Sequence, residues 1–327
     1  MRRRTGQLLA AAAALLYSLQ NLAMRVGAAS ADPYAVVLFA GLPTAVLSVG
    51  LVAGSPARRR TLAALAAEAP GRRLLLVIAV LGVMNYAVGN PLFTRSLALG
   101  GAVVATPSAN TLVVWSVVLG LLVLGERPGP LVLAGVGVFA LGVALLAWGQ
   151  ASGQARGVPF GPGWGWAIPL GVGAGLCWAA GGVGTRYALA RGVDAAVILA
   201  VAGVSGLGTV AMLVLGRGGL GIPSGEAAGV EAGRVLVAMV LAGIFNLGAQ
   251  VASTLALRLE TVATVSVISS SSVAIVAVLA WALLAEPLDL PTLLGVLAVF
   301  AGAVLVQRPG PTQQSEPTKR KEESPLR

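Results

Sequence analysis

The chain has 327 residues, of which 57% are hydrophobic and 10% charged, with a mean hydropathy of +0.89 and a formal net charge of +10. A soluble domain carries about 25% charged residues, so the composition excludes an ordinary water-soluble fold. No histidine and a single cysteine, Cys177, exclude a four-ligand zinc site and an intrachain disulfide.

In chain order, ten charge-poor windows of about 20 residues, the length that spans a hydrocarbon core, are predicted at 8–27, 34–53, 74–94, 102–124, 131–149, 164–187, 195–215, 235–256, 262–285 and 290–307. They are numbered here as segments 1 to 10. Backbone groups in lipid must be satisfied within each segment, so the segments are helices. The N-terminal "MRRRTGQLLAAAALLYSLQNLA" has the basic start of a signal peptide, but its apolar run is longer than an h-region and nine more follow. It is read as an uncleaved first helix.

Arginine placement sets orientation, because basic loops stay cytoplasmic. With the N-terminus inside, the inner side collects Arg2–Arg4, Arg58–Arg60, Arg72, Arg73, Arg127, Arg186, Arg191, Arg258 and the basic residues of the tail, against Arg25, Arg156, Arg217 and Arg234 outside. Both termini are therefore expected in the cytoplasm of a multi-pass plasma-membrane protein. The same asymmetry accounts for the net charge without a nucleic-acid partner, since no aromatic-interleaved basic patch is present. Residues 310–327 are polar and Pro-rich, read as a disordered cytoplasmic tail.

The phrase "SLALGGAVVATPS" (96–108) returns as "TLALRLETVATVS" (254–266), five segments later. Segment 4 closes in "LLVLGE" at Glu126 and segment 9 in "WALLAE" at Glu286, after which "LVLAGVGVFALGVALL" and "TLLGVLAVFAGAVLV" correspond. "LYSLQNLAMR" and "CWAAGGVGTR" align Arg25 with Arg186. The chain is thus one unit written twice, residues 1–150 and 151–309. Five helices is an odd number, so the second copy enters the membrane upside down. The expected fold class is an all-α membrane protein with ten transmembrane helices in two inverted five-helix repeats, an arrangement that secondary transporters use for alternating access.

These motifs resemble the EamA family of the drug/metabolite transporter superfamily over roughly residues 7–307, with Ala285 departing from the Gly-Glu ending that Gly125 keeps. The resemblance implies a central cavity lined mainly by segments 1, 3, 4, 6, 8 and 9, with 5 and 10 peripheral.

Polar side chains at mid-membrane are costly and face a cavity or another helix. Segment 1 offers Tyr17, Gln20 and Asn21; segment 3 Asn85, Tyr86 and Asn90; segment 4 Ser108, Asn110, Thr111 and Trp115; segment 6 Trp178; segment 8 Asn246 and Gln250; segment 9 the run from Ser269 and Ser270 to Ser272. Spacing of three or four places such pairs on one helical face. Amides on several stripes, walled by Tyr17, Trp115 and Trp178, predict a lined cavity. A single Ser or Thr is more simply an interhelical hydrogen bond. Pro43, Pro91, Pro107 and Pro169 predict breaks or kinks, and "GVGAG" at 171–175 predicts close helix approach rather than a dinucleotide loop, since no strand precedes it.

No Asp or Glu falls at mid-helix, so a proton relay through intramembrane carboxylates is not expected. A facilitator or exchanger, or coupling through a carboxylate at the cavity rim, fits better. Glu126 and Glu286 are read as capping or pairing groups at the turns into the next helices. The neutral lining suits uncharged or zwitterionic amphipathic solutes such as amino acids. The partners expected are a small-molecule substrate and membrane lipid, with a possible homodimer through segments 5 and 10; no cofactor and no metal are expected. The rival reading, an intramembrane hydrolase, has only "GVSG" (203–206) behind it, and Ser205 has no histidine to act as its base. A non-transporting scaffold or client-binding protein is the other alternative.

Overall fold

The computed structural model describes residues 2–28, 32–154, 166–218, 229–284 and 290–307. Among them every regular element is helical: α1 (Arg2–Ala28), α2 (Pro33–Ala53), α3 (Pro56–Ala67), α4 (Ala69–Val83), a π-helical turn (Met84–Gly89), α5 (Asn90–Ala109), α6 (Leu112–Leu124), α7 (Pro130–Gln154), α8 (Ala167–Ala190), α9 (Ala195–Gly216), α10 (Gly229–Ala256), α11 (Val262–Ser270), α12 (Ser272–Leu284) and α13 (Leu290–Gln307). Six stretches are long and apolar enough to cross a membrane: Arg3–Met24, Pro33–Ala53, Ala69–Ser96, Ala167–Ala190, Ala195–Gly216 and Gly233–Ala256. Four shorter apolar helices accompany them, Leu112–Leu124, Pro130–Leu145, Val262–Val276 and Leu293–Val306. The chain is a multi-pass membrane protein. Glu286, Asp289, Arg156 and the tail lie outside the described residues, as do the side chains of Arg25 and Pro107.

Local chemistry sets the helix ends. Asp32 accepts from Tyr34 N–H at 2.8 Å to start α2, with Pro33 in the first turn where its missing N–H costs nothing. Asp194 caps α9 through Ala196 N–H at 2.9 Å, and the Thr261 side chain caps α11. α6 stops at Gly125, whose φ of 66° is the left-handed conformation that glycine adopts without penalty.

The major packing partners come from different copies: α1 on α10, α2 on α9, α5 on α8 and α7 on α13. Exchanging the copies maps the α1–α10 contact onto that of segment 3 with α8, and maps α2–α9 and α7–α13 onto themselves. The direction of α8 follows from its ends. Arg186, near its C-terminus, donates to Leu257 O at 2.6 Å, while Glu260 of the same 257–261 turn pairs with Arg3 at the start of α1. Corresponding helices α1 and α8 therefore run in opposite directions.

Segments 3 and 4 were predicted to be separated near 95–101, but the backbone is helical from Asn90 to Ala109. The reversal is nevertheless there. Leu81, Asn85, Asn90 and Ser96 meet α8 at Gly184, Gly181, Trp178 and Ala167 in descending order, whereas Ala105 and Ala109 meet it at Gly171 and Gly175 in ascending order. Direction changes between Ser96 and Ala105.

Pro91 has no N–H to offer the carbonyl four residues earlier, and the ladder answers by widening. The Asn90 N–H bonds Asn85 O, an i→i−5 bond that closes the π turn just before the proline. At Pro43 the freed end of the ladder is covered from outside α2: a Cβ on Gly243 would lie 2.7 Å from Phe39 O and 2.9 Å from Pro43 Cγ. Gly135 and Gly142 of α7 are likewise pressed against Gly302 and Val299 of α13. These glycines of segments 5 and 10 serve contacts within the chain.

Gly243→Ala must shift backbone, and overpacking of this kind costs about 1–3 kcal/mol. Its thermal unfolding midpoint in detergent is expected to fall. Gly137→Ala, with open space around the new Cβ, is the control and leaves the midpoint unchanged or raised. An unchanged midpoint for Gly243→Ala contradicts the packing.

Candidate functional site: a cavity between the two copies

A cavity of about 280 Å³ lies between the copies, close to the lower size of small-molecule sites. α1, α2, α4, the π turn, α5, α6 and α8 to α12 contribute to its wall. Of the residues predicted from sequence, Tyr17, Gln20, Asn21, Asn85, Tyr86, Asn90, Asn110, Trp178, Asn246, Gln250, Ser269 and Ser270 line it. No Asp, Glu, Lys or Arg among the described residues does.

Trp178 Nε1 donates to Asn90 Oδ1 at 2.8 Å and its ring meets Phe93 edge-on, centroids 5.1 Å apart. The indole N–H is satisfied and the aromatic faces form an apolar wall. Tyr17 hydrogen-bonds Ser253 across from α1 to α10. Gln20 gives its Nε2 to Met24 Sδ at 3.5 Å, while its Oε1 is buried without a hydrogen-bond partner.

Other predicted residues behave differently. Ser108, Thr111, Trp115 and Ser271 are not on the cavity wall. The Thr111 hydroxyl donates back to Ser108 O at 2.7 Å at the two-residue turn 110–111 that ends α5. Trp115, half-buried, lies beyond that turn. Asn246 lines the cavity but is 6% exposed, and its Nδ2 donates to Ala40 O at 2.9 Å. Its amide clamps α10 to α2 three residues from the Gly243 contact.

Sequence reading missed Met24, Thr185, Ser253, Thr254 and Ser266, all on the wall. Ser253 continues the Asn246–Gln250 stripe at helical spacing and was legible there. Ser266, which donates to Ser116 Oγ at 2.8 Å, stands three residues before Ser269. Thr185 carried no signal beyond its adjacency to Arg186.

Charge gathers at one end of the bundle. Glu126 lies 3.5 Å from Arg186 Nε and accepts from Val262 N–H at 3.2 Å, so it caps α11 of the other copy rather than the turn into its own next helix. Arg3 pairs with Glu260 at 3.5 Å, and Asp194 holds Arg58 at 3.1 Å and Arg258 at 3.7 Å. The described pair at the opposite end is Arg217–Asp32 at 4.0 Å, with Arg217 over the Tyr34 ring. Burial pushes the Glu126 carboxyl above its ordinary range, and the Val262 N–H and Arg186 offset this only in part. Burial likewise raises Glu260, against the pull of Arg3 and Arg186.

Ser205 is engaged in packing: its hydroxyl lies 2.8 Å from Val201 O and 3.0 Å from Ala79 O.

The EamA-like transporter family model matches residues 4–148 and again 165–308. The chain belongs to the EamA-like transporter family. Its members are transporters rather than enzymes, and a transporter implies a small-molecule substrate. A solved structure titled only "Crystal structure of protein" superposes with a TM-score of 0.70 at 18% identity, covering 92% of this chain and 96% of that one. It shows a shared fold. No curated protein matches the sequence.

The carboxyls give a pH test. A folded-state pKa raised above its unfolded value means the folded protein binds more protons, so stability rises as pH falls from neutrality towards the ordinary carboxylate range. The unfolding midpoint in detergent should climb over that window. Glu126→Gln together with Glu260→Gln should flatten the slope; an unaltered slope removes these two groups from the account.

Proposed function

We propose that this protein is a secondary transporter, an exporter or exchanger of small neutral or zwitterionic amphipathic metabolites such as amino acids, working by alternating access. In this reading the six long and four short apolar helices are ten transmembrane helices in two inverted five-helix repeats, set in a bacterial inner membrane with both termini cytoplasmic.

The observation that carries the reading is the uncharged cavity walled by amides and aromatics from both copies. A fixed charge would favour ions of opposite sign. Amide groups instead offer donors and acceptors to either end of a zwitterion. The Gln20 acceptor is buried without a partner, and a substrate ammonium or hydroxyl would satisfy it. Trp178, Phe93 and Tyr86 supply the apolar wall for the rest of the solute. Rocking one copy against the other would expose this wall to each side in turn.

Counterflow into proteoliposomes tests the reading: load amino acids, nucleosides or amphipathic drugs in separate preparations and follow labelled tracer entering from outside. Uptake with one chemical class is expected. Gln20→Ala and Asn21→Ala should lower it several-fold with the protein still folded. Asn246→Ala should lower the unfolding midpoint as well, because its amide is an interhelical clamp worth about 0.6–2 kcal/mol. Absence of counterflow with every class, from folded protein, favours the scaffold alternative, and so do alanine variants that change stability alone.

A further inference from the structure

α3 is an amphipathic helix outside the bundle. None of its residues is buried, yet it is firmly held. Arg58 Nε reaches Asp194 Oδ1 at 3.1 Å and its Nη1 reaches Leu51 O at 3.2 Å. Leu62 and Leu65 pack on the cluster of Val52, Leu74 and Val193. Gly71, at the start of α4, is pressed on the Leu65 backbone so closely that a Cβ would collide with it. The end of α3 and the start of α4 are therefore in backbone contact.

Besides Arg58, α3 and the start of α4 carry four more arginines. Arg59 and Arg60 on α3 and Arg72 and Arg73 on α4 are exposed. Among the described residues none of them forms an ion pair, and Glu68 is the only acid between Gly54 and Leu74.

Directly above them α4 turns apolar and outward. Leu76 is 64% exposed, Val77 43% and Val80 56%. Spacing of four puts Arg72, Leu76 and Val80 on one stripe and Arg73 with Val77 on the next. A cationic corner continued by an exposed hydrocarbon stripe matches a molecule with a phosphate at one end and acyl chains at the other.

We propose that the α3–α4 corner is a binding site for an anionic phospholipid, its headgroup phosphate held by Arg59, Arg60, Arg72 and Arg73 and its acyl chains lying along Leu76, Val77 and Val80. A free phosphate would satisfy the arginines alone and has no use for the stripe. The site is separate from the cavity and stands whether or not the transport reading does.

Native mass spectrometry of the full chain, released from detergent with equal amounts of phosphatidylglycerol and phosphatidylcholine of the same acyl composition, tests it. The wild type should retain phosphatidylglycerol in preference. Each Arg→Gln substitution among the four should lower that preference by about fivefold, the weight of one basic residue at an anionic surface. Arg217→Gln, at the opposite end, should leave it unchanged. Thermal unfolding identifies variants that are still folded, and the single substitutions serve if the quadruple variant is not. Equal retention of the two lipids by the wild type overturns the proposal, as does undiminished preference in folded Arg59→Gln and Arg73→Gln. Displacement of the lipid by millimolar inorganic phosphate would make the corner a general anion site and also overturns it.

Discussion

The structure depends on how closely helices from the two copies can approach. Lipid tails are as apolar as leucine, so helices in a membrane gain little from burying apolar surface and must be held by close contact and hydrogen bonds. Glycine provides that contact here. Gly82 of α4 meets the Ala202 backbone of α9, Gly206 of α9 returns the contact to Gly82, and Gly142 of α7 meets Val299 of α13. Each of these pairs joins one copy to the other. The cavity opens beside these seams: Gly82 of the α4–α9 contact lies on its wall together with larger polar side chains such as Tyr17, Asn85, Asn110 and Gln250.

Electrostatics sorts the remaining groups by depth. A charge at the centre is costly, and the polar groups of the cavity wall are amides, hydroxyls and the Trp178 indole, set among aliphatic side chains. The carboxylates and guanidinium groups are placed at the ends, where water and helix termini can solvate them. Glu126 illustrates the compromise. It belongs to the first copy, yet its oxygens take an arginine and a backbone N–H from the second. Burial disfavours its charge even with both partners present.

Sequence pattern was most informative where periodicity or repetition supported it. The apolar windows and the internal repeat pointed to a helical membrane protein of two related halves, because length and composition are read without knowing any contact. The amide stripes on segments 1, 3 and 8 reached the cavity for the same reason: regular helices keep residues at spacing four on one face. Thr111 and Trp115 were placed on the wall by treating segment 4 as one unbroken helix, whereas a turn at 110–111 interrupts it. Asn246 was placed on the correct face but given the wrong partner, since nothing in its own stripe reveals that Pro43 and Gly243 bring the Ala40 carbonyl within reach. The destination of Glu126 was equally hidden, being a helix start 136 residues away.

Backbone irregularity is where the two levels meet. The π turn at Met84–Gly89, the turn at Asn110–Thr111 and the interruption at Ser271 all interrupt helices beside the cavity. At membrane depth, backbone that departs from a regular helix is tolerated only where protein or an aqueous cavity can satisfy it, so these positions have few alternatives to the cavity wall. Two of them are related by the repeat. The corresponding phrases begin at residues 96 and 254, and the interruptions fall at 110–111 and 271, close to the same separation. Each copy therefore brings its own broken helix to the shared wall, flanked by Ser108 and Asn110 in one and by Ser269 to Ser272 in the other. A broken helix bends at its break with less loss of hydrogen bonding than an intact one.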